Sequence, residues 1–114
     1  MARKLLLLIL ALASCSKGPE ADLPNISEAR SLAAEWALVN EQANHRHLTC
    51  SYVRTMRQAL REQLKMNSKS LTEPQSAYAN EITALLEEPD DAAPAKLRAH
   101  ASKLKRIEDS LESA

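Results

Sequence analysis

The sequence predicts an all-α protein folded as a long antiparallel helical hairpin with a kinked, two-helix return arm. The aromatic residues are one Trp and two Tyr, with no Phe, and the commonest residues are straight-chain types that lose little side-chain freedom in helices. The single glycine, Gly18, precedes the helical patterns, which disfavours β-hairpins and glycine-rich phosphate loops. Apolar residues then recur at steps of three and four along the chain, as expected for amphipathic helices.

The first 14 residues have the pattern of a secretory signal peptide. Arg3 and Lys4 form a positive start, and the apolar run 5–13 that follows is about nine residues long, as in a signal peptide. A helix that spans a bilayer needs roughly 20 apolar residues, so we do not expect a permanent transmembrane segment. One cleavage site that fits is Ala11-Leu12-Ala13, with ordinary secretion and cutting before Ser14.

The stretch Leu12-Ala13-Ser14-Cys15 resembles the lipobox of bacterial lipoproteins. The resemblance implies diacylglyceryl transfer to the Cys15 sulfur, cleavage between Ser14 and Cys15, and acylation of the new amino group in many bacteria. Ser16 stands where lipoproteins kept in the inner membrane of many Gram-negative bacteria carry Asp, which implies the outer membrane, facing the periplasm. Two or three acyl chains hold a protein firmly on a membrane. We therefore expect a lipoprotein signal peptide at 1–14, a flexible tether at 15–24 and a lipid-anchored helical domain at 25–114.

The first helix of this domain is expected at about 26–66. Asn25 is a suitable N-cap, and Glu28 three residues later completes a capping box. The inward positions follow steps of three and four without a change of frame: Ile26, Ala29, Ala33, Trp36, Val39, Ala43, His47, Cys50, Val53, Met56, Leu60 and Leu64. A break near Thr49 or Ser51, either of which would cap a second helix, is the alternative.

The return arm is expected as two helices, at about 73–88 and 91–112. Thr72 is the expected cap of the first, which ends before Pro89 because proline disfavours helix at the preceding residue. Asp90 or Asp91 is the expected cap of the second. The inward positions are Tyr78, Ile82, Leu85 and Leu86 in the first of these helices, and Ala93, Leu97, His100, Leu104, Ile107 and Leu111 in the second.

A hairpin of this kind has one buried seam, along which Leu60 would lie near Tyr78, and Trp36 near Leu104. Several seam positions are alanines, so the hairpin would be marginal alone, and we predict self-association into a four-helix bundle or docking onto another protein. Basic and acidic side chains are balanced at 15 each. This balance argues against nucleic acid as a partner.

Besides the lipid attachment, cysteine and histidine residues suggest a disulfide or a metal site. Cys50 is the only thiol left once Cys15 is acylated. It is expected to be a small buried residue, with an intermolecular disulfide as the alternative, or a disulfide to Cys15 if that residue is not acylated. His47, Cys50 and His100 all fall on predicted inward faces, so a metal or haem site in a bundle is a second hypothesis, although no Cys-x-x-Cys-His motif for covalent haem is present.

A basic stripe runs along the predicted first helix through Arg54, Arg57, Arg61 and Lys65. It is suited to anionic sugar or peptidoglycan groups, but a solvated face paired with Glu62, Glu81, Glu87 and Glu88 is the favoured interpretation. No nucleophile elbow or zinc-protease motif is present.

We therefore predict a lipid-anchored, periplasm-facing binding or scaffolding module that is not an enzyme and has no cofactor. A metal- or haem-binding module and a soluble secreted inhibitor or chaperone-like protein are the alternatives.

Overall fold

The computed structural model describes residues 18–113, and within that range it contains four helices and no strand. The all-α class is confirmed. The helices are α1 (Pro19–Asn44), α2 (Cys50–Lys69), α3 (Ala77–Leu86) and α4 (Pro94–Glu112). The signal peptide and Cys15 lie outside the described residues, as do Ser16 and Lys17.

Helix α1 begins seven residues earlier than predicted, so residues 19–24 of the predicted tether are helical. Gly18 occupies the N-cap position with φ of 107°, a conformation that glycine adopts at little cost, and Pro19 takes the first helical position, where its missing N–H is not needed. Pro24 is tolerated inside the helix. There it removes one intrahelical hydrogen bond but does not end the helix.

The single long helix predicted at 26–66 is interrupted at residues 45–49, so the alternative with a break near Thr49 is the one observed. The end of α1 is closed by Arg46 N–H donating to the Ala43 carbonyl and His47 N–H donating to the Gln42 carbonyl, with Arg46 in the left-handed region at φ of 59°. This is a Schellman-type ending. Thr49 then caps α2, because its Oγ1 accepts a hydrogen bond from the Tyr52 N–H at 3.2 Å.

The caps of the last two helices also differ from the prediction. Ser76, rather than Thr72, caps α3 by accepting from the Ala79 N–H at 3.2 Å. Helix α4 has Ala93 at its N-cap position and no side-chain cap, with Pro94 starting the helix. Asp90 and Asp91 therefore do not cap α4.

The four helices run alternately up and down around a shared core. Helix α2 folds back along α1, since Arg57 reaches Asn40 near the end of α1, while Asn67 reaches Asn25 near its start. Helix α3 returns in the direction of α1. Helix α4 then runs antiparallel to α1, with ion pairs from Arg98 to Glu41 and from Arg30 to Glu108. The hairpin with two arms is thus not confirmed: α1 packs mainly on α4 and next on α2, and α3 lies across from it between those two helices.

The core lies along these helix seams and follows much of the predicted inward pattern. Its largest fully buried apolar side chains are Trp36, Ile26, Leu64, Ile82, Leu85, Leu97 and Leu104. Three residues predicted to face inward are exposed instead: His47, Cys50 and Ala93. The first two lie at or next to the turn between α1 and α2, and Ala93 lies just before α4. The prediction of self-association assumed a single buried seam, and that premise is not met because residues 18–113 already supply four packed helices.

Two core leucines provide a direct test of this packing. Leu60 on α2 and Leu104 on α4 are almost completely buried, so replacing either with alanine is expected to lower the free energy of unfolding by about 2–5 kcal/mol. Urea denaturation followed by circular dichroism measures this change. Leu111→Ala, near the end of α4 where the side chain is only partly buried, is the matched control and should cost clearly less. Parent-like stability of both core variants would contradict the packing described here.

Candidate functional site

An open groove with a volume of about 620 Å³ lies along α2. The predicted basic stripe forms much of its wall. The groove is lined by Ala43, Leu48, Cys50, Val53, Arg54, Arg57, Gln58, Arg61, Glu62, Lys65 and Asp90. Its volume falls within the range of roughly 300–1,000 Å³ that is usual for small-molecule sites.

Arg61 is the most extensively bonded cation of the groove. Its Nε donates to Asp90 Oδ1 at 2.6 Å, and its two terminal nitrogens donate to the backbone carbonyls of Leu86, at 2.8 Å, and Glu88. The guanidinium also lies over the Trp36 ring, 4.9 Å from the ring centroid, in cation–π geometry. Arg61 therefore fixes the corner between α3 and α4, and all three of its nitrogens are already engaged.

Asn40 is a second polar anchor of the same corner and holds Arg57 in place. Its Nδ2 donates to the carbonyls of Asp90 at 3.0 Å and Ala92 at 2.8 Å, while its Oδ1 accepts from Arg57 Nε at 2.8 Å. Trp36 Nε1 donates to the same Asp90 carbonyl at 3.0 Å. Arg57 is thus positioned through one nitrogen, and its two terminal nitrogens have no hydrogen-bond partner within residues 18–113.

The other two cations of the stripe are more exposed. Lys65 lies 3.6 Å from the Glu62 carboxylate one turn earlier on α2. Arg54 is exposed, and no carboxylate of the described range pairs with it. The favoured interpretation of the stripe as a paired, solvated face therefore fits Lys65 and not Arg54.

A cluster of charged groups joins α3 to α4 at His100. The ring Nδ1 lies 2.6 Å from Glu81 Oε1, and Nε2 lies 2.7 Å from Glu88 Oε2. The ring therefore lies between two carboxylates, one at each of its nitrogens. The hydrogen bond from His100 lowers the pKa of the Glu88 carboxyl, against the opposing effect of burial, and Lys96 at 3.4 Å acts in the same direction.

The cluster is not a metal site. Glu81 contacts Nδ1 of the His100 ring and Glu88 contacts Nε2, on the other side of the ring. A single ion therefore cannot be bound by the imidazole and both carboxylates at once. Within residues 18–113, no group of three or more His, Cys, Asp or Glu side chains has an arrangement that would hold a metal ion. His47 instead contacts Gln42 through Nδ1 at 2.7 Å, and Cys50 is an exposed free thiol. The structure therefore does not bring His47, Cys50 and His100 together as one site.

Asp22 forms a buried clasp at the opposite end of the bundle. Its carboxylate accepts hydrogen bonds from the Thr72 N–H at 2.9 Å, the Thr72 hydroxyl at 3.0 Å, the Glu73 N–H at 3.3 Å and the Tyr78 hydroxyl at 2.5 Å. Burial alone would raise the pKa of Asp22, but these hydrogen bonds outweigh it and lower the pKa. Burial and the contact with Asp22 raise the pKa of Tyr78 to about 12. The clasp ties the start of α1 to the segment before α3.

No helix in the described range is long and apolar enough to cross a bilayer. The predicted lipid attachment at Cys15 lies outside that range, so the geometry of the anchor is not described. Protein-family models, characterised proteins and solved structures were all compared with the chain, and none of them matches it.

The sequence predicted the basic stripe but not the residues that organise it. Asn40 is almost fully buried, yet a lone Asn in a helical pattern gives no sign of three hydrogen bonds. The backbone carbonyls that receive Arg61 carry no sequence signal at all. The only available indication was the position of Asn40 one residue after the inward Val39, on the edge of the apolar face.

Proposed function

We propose that this protein is a lipid-anchored protein of the bacterial cell envelope, held by Cys15 on the periplasmic side of the outer membrane, whose four-helix domain acts as a binding module. The observation that carries the proposal is the lipobox-like stretch 12–15 placed directly before an independently packed helical domain. The groove along α2 is the proposed binding surface. It supports a binding role because it combines unpaired cations with apolar walls in an open cleft.

The short distance between the attachment point and the fold supports an oriented domain. Only Ser16 and Lys17 separate Cys15 from Gly18, and this step spans at most about 10 Å. Gly18 is hydrogen-bonded to Thr72, since the Gly18 N–H donates to the Thr72 hydroxyl oxygen at 3.3 Å. The start of α1 and the segment before α3 would therefore both lie close to the lipid headgroups.

The groove extends away from the anchored end of the bundle, toward the turn between α1 and α2. Helix α1 has 26 residues, a length of about 39 Å, and Arg54 lies near the start of α2, beside the far end of α1. A ligand at Arg54 would thus be reached from the aqueous side of the membrane. The mature chain keeps 13 basic and 15 acidic side chains once Arg3 and Lys4 are removed. This balance gives it no net electrostatic pull toward anionic lipid.

The anchor is tested by comparing the parent with Cys15→Ala in a Gram-negative host. We expect the parent to carry a lipid-sized mass increase and to fractionate with the outer membrane, and the variant to lack the added mass and appear in the soluble fraction. Cys50→Ala is the matched control, because it removes the other cysteine and should leave mass addition and fractionation unchanged. A parent of unmodified mass beginning at Ser14 would contradict the anchor and favour a soluble secreted protein.

A further inference from the structure

The charges that line the groove do not cancel evenly along its length. Arg61 is matched by Asp90 at 2.6 Å, and Lys65 lies beside Glu62 at 3.6 Å. Two cations remain without a carboxylate partner within residues 18–113, and both line the end of the groove next to the turn between α1 and α2: Arg54 and Arg57. The unbalanced positive charge of the groove is therefore concentrated at that end.

The Arg57 side chain is positioned in the groove by a hydrogen bond to Asn40. Its Nε is fixed by Asn40, which is itself held by two backbone carbonyls of the corner between α3 and α4. Fixing one nitrogen removes much of the side-chain freedom that binding would otherwise cost. The two terminal nitrogens remain as donors, an arrangement that suits the two oxygens of a carboxylate.

The same end of the groove has aliphatic walls. Val53 is buried, Ala43 and Leu48 are partly buried, and all three line the groove. A bare inorganic anion would leave these surfaces without a contact. A ligand that has a carboxylate next to small aliphatic groups would pair with the arginines and cover the aliphatic walls at once.

We infer that the Arg54 end of the groove binds short peptides with small aliphatic side chains through their free C-terminal carboxylate. Arg54 and Arg57 receive the carboxylate, and the walls formed by Ala43, Leu48 and Val53 receive the aliphatic side chains. This inference rests on the proposed function, since it names the ligand class of the proposed binding surface.

The inference is tested by NMR titration of the purified, isotope-labelled full chain in detergent micelles. The probes are N-acetyl-alanyl-alanine, its C-terminal amide and inorganic phosphate. We expect the peptide acid to shift the backbone N–H signals of residues 50–58. The C-terminal amide of the peptide, which loses the charge-assisted hydrogen bonds, and phosphate, which lacks the apolar contacts, should each bind at least about tenfold more weakly.

Arg54→Gln is the decisive variant, because Arg54 is exposed and its loss should leave the fold intact. It is expected to weaken binding of the acid about tenfold, whereas Arg106→Gln, which removes an exposed arginine of α4 outside the groove, should leave binding unchanged. Equal binding of acid and amide, or unchanged affinity in Arg54→Gln, would overturn the inference, and phosphate binding as tight as the peptide would mark a general anion site instead. The lipid-mass experiment is independent of this titration, so failure of the ligand class and failure of the anchor are distinguishable.

Discussion

Replacing Trp36 with alanine is expected to lower the free energy of unfolding by about 3–5 kcal/mol. Trp36 is the largest fully buried side chain of the described range, and it lies on α1 where that helix meets the corner between α3 and α4. The substitution would leave a large cavity, and it would also remove the indole N–H that donates to the Asp90 carbonyl at 3.0 Å. Urea denaturation followed by circular dichroism measures the change.

The effect of Trp36→Ala should extend to the groove, because the ring supports the Arg61 guanidinium. Without the ring, Arg61 loses its cation–π contact, and the corner that it holds is expected to loosen. Trp36→Phe keeps an aromatic ring and loses the N–H donor, so it should cost less than Trp36→Ala. Leu38→Ala, on the same helix but 53% exposed, is the matched control and should change stability by less than about 0.5 kcal/mol. A loss below about 1 kcal/mol in Trp36→Ala would contradict the described packing.

The helical class and much of the core were predictable because apolar spacing is a local signal. From Ile26 to Val39 and from Val53 to Leu64, steps of three and four residues correctly identified buried faces. The same spacing continued through His47 and Cys50 and suggested one uninterrupted helix, yet both residues are exposed. Periodicity alone does not distinguish a continuous helix from two helices whose apolar faces happen to be in phase.

The break between α1 and α2 was hard to predict because it lacks the usual residue. Helices that end in a left-handed residue most often use glycine there, and this chain places Arg46 in that conformation. The Thr49 cap was a visible signal, but threonine is also common inside helices. Missing this break also meant missing the topology, since the chain folds back at residues 45–49 and residues 18–113 form four helices instead of a two-arm hairpin.

The start of α1 was predicted too late in the sequence. The local signals there indicated an irregular tether, but contacts with distant residues stabilise a helix. Pro19 and Pro24 suggested an irregular tether, but the first is favourable at the start of a helix and the second is tolerated. Asp22 lies between them, and its partners are about 50 residues away in the sequence. Contacts over such a distance leave no trace in local patterns, and the same is true of His100 with Glu81 and of Asn40 with Asp90.

The Asp22 clasp leads to the second large expected effect. Asp22→Ala would leave the buried Tyr78 hydroxyl without its acceptor, and a buried donor left unpaired costs about 1–3 kcal/mol. It would also remove the acceptor of the Thr72 and Glu73 N–H groups, but Thr72 is exposed and Glu73 half-buried, so water can replace the carboxylate there. We therefore expect the free energy of unfolding to fall by about 2–4 kcal/mol, measured by urea denaturation at neutral pH. Glu20→Ala, which removes an exposed carboxylate from the same turn of α1, is the matched control and should have little effect.

The clasp also predicts how stability depends on pH, in opposite directions at the two ends of the scale. The folded pKa of Asp22 lies below its ordinary value of 3.8, so its contribution is present above that value and is lost as the pH falls through the folded pKa. The folded pKa of Tyr78 is raised from 10.0 to about 12. Its contribution is therefore present below pH 10 and is lost as the pH rises from about 10 to 12.

Tyr78→Phe separates the two ends of this pH dependence, because it removes the titrating hydroxyl and leaves the Asp22 carboxylate with its other donors. Its stability should fall less steeply than that of the parent between about pH 10 and 12, while the loss of stability in acid persists. Asp22→Asn removes the acidic titration and should flatten the acid side instead. Denaturation midpoints of the parent and both variants across the pH range measure these slopes. An alkaline slope in Tyr78→Phe as steep as the parent's would show that other groups control stability there, and that the hydrogen bond from Tyr78 to Asp22 does not.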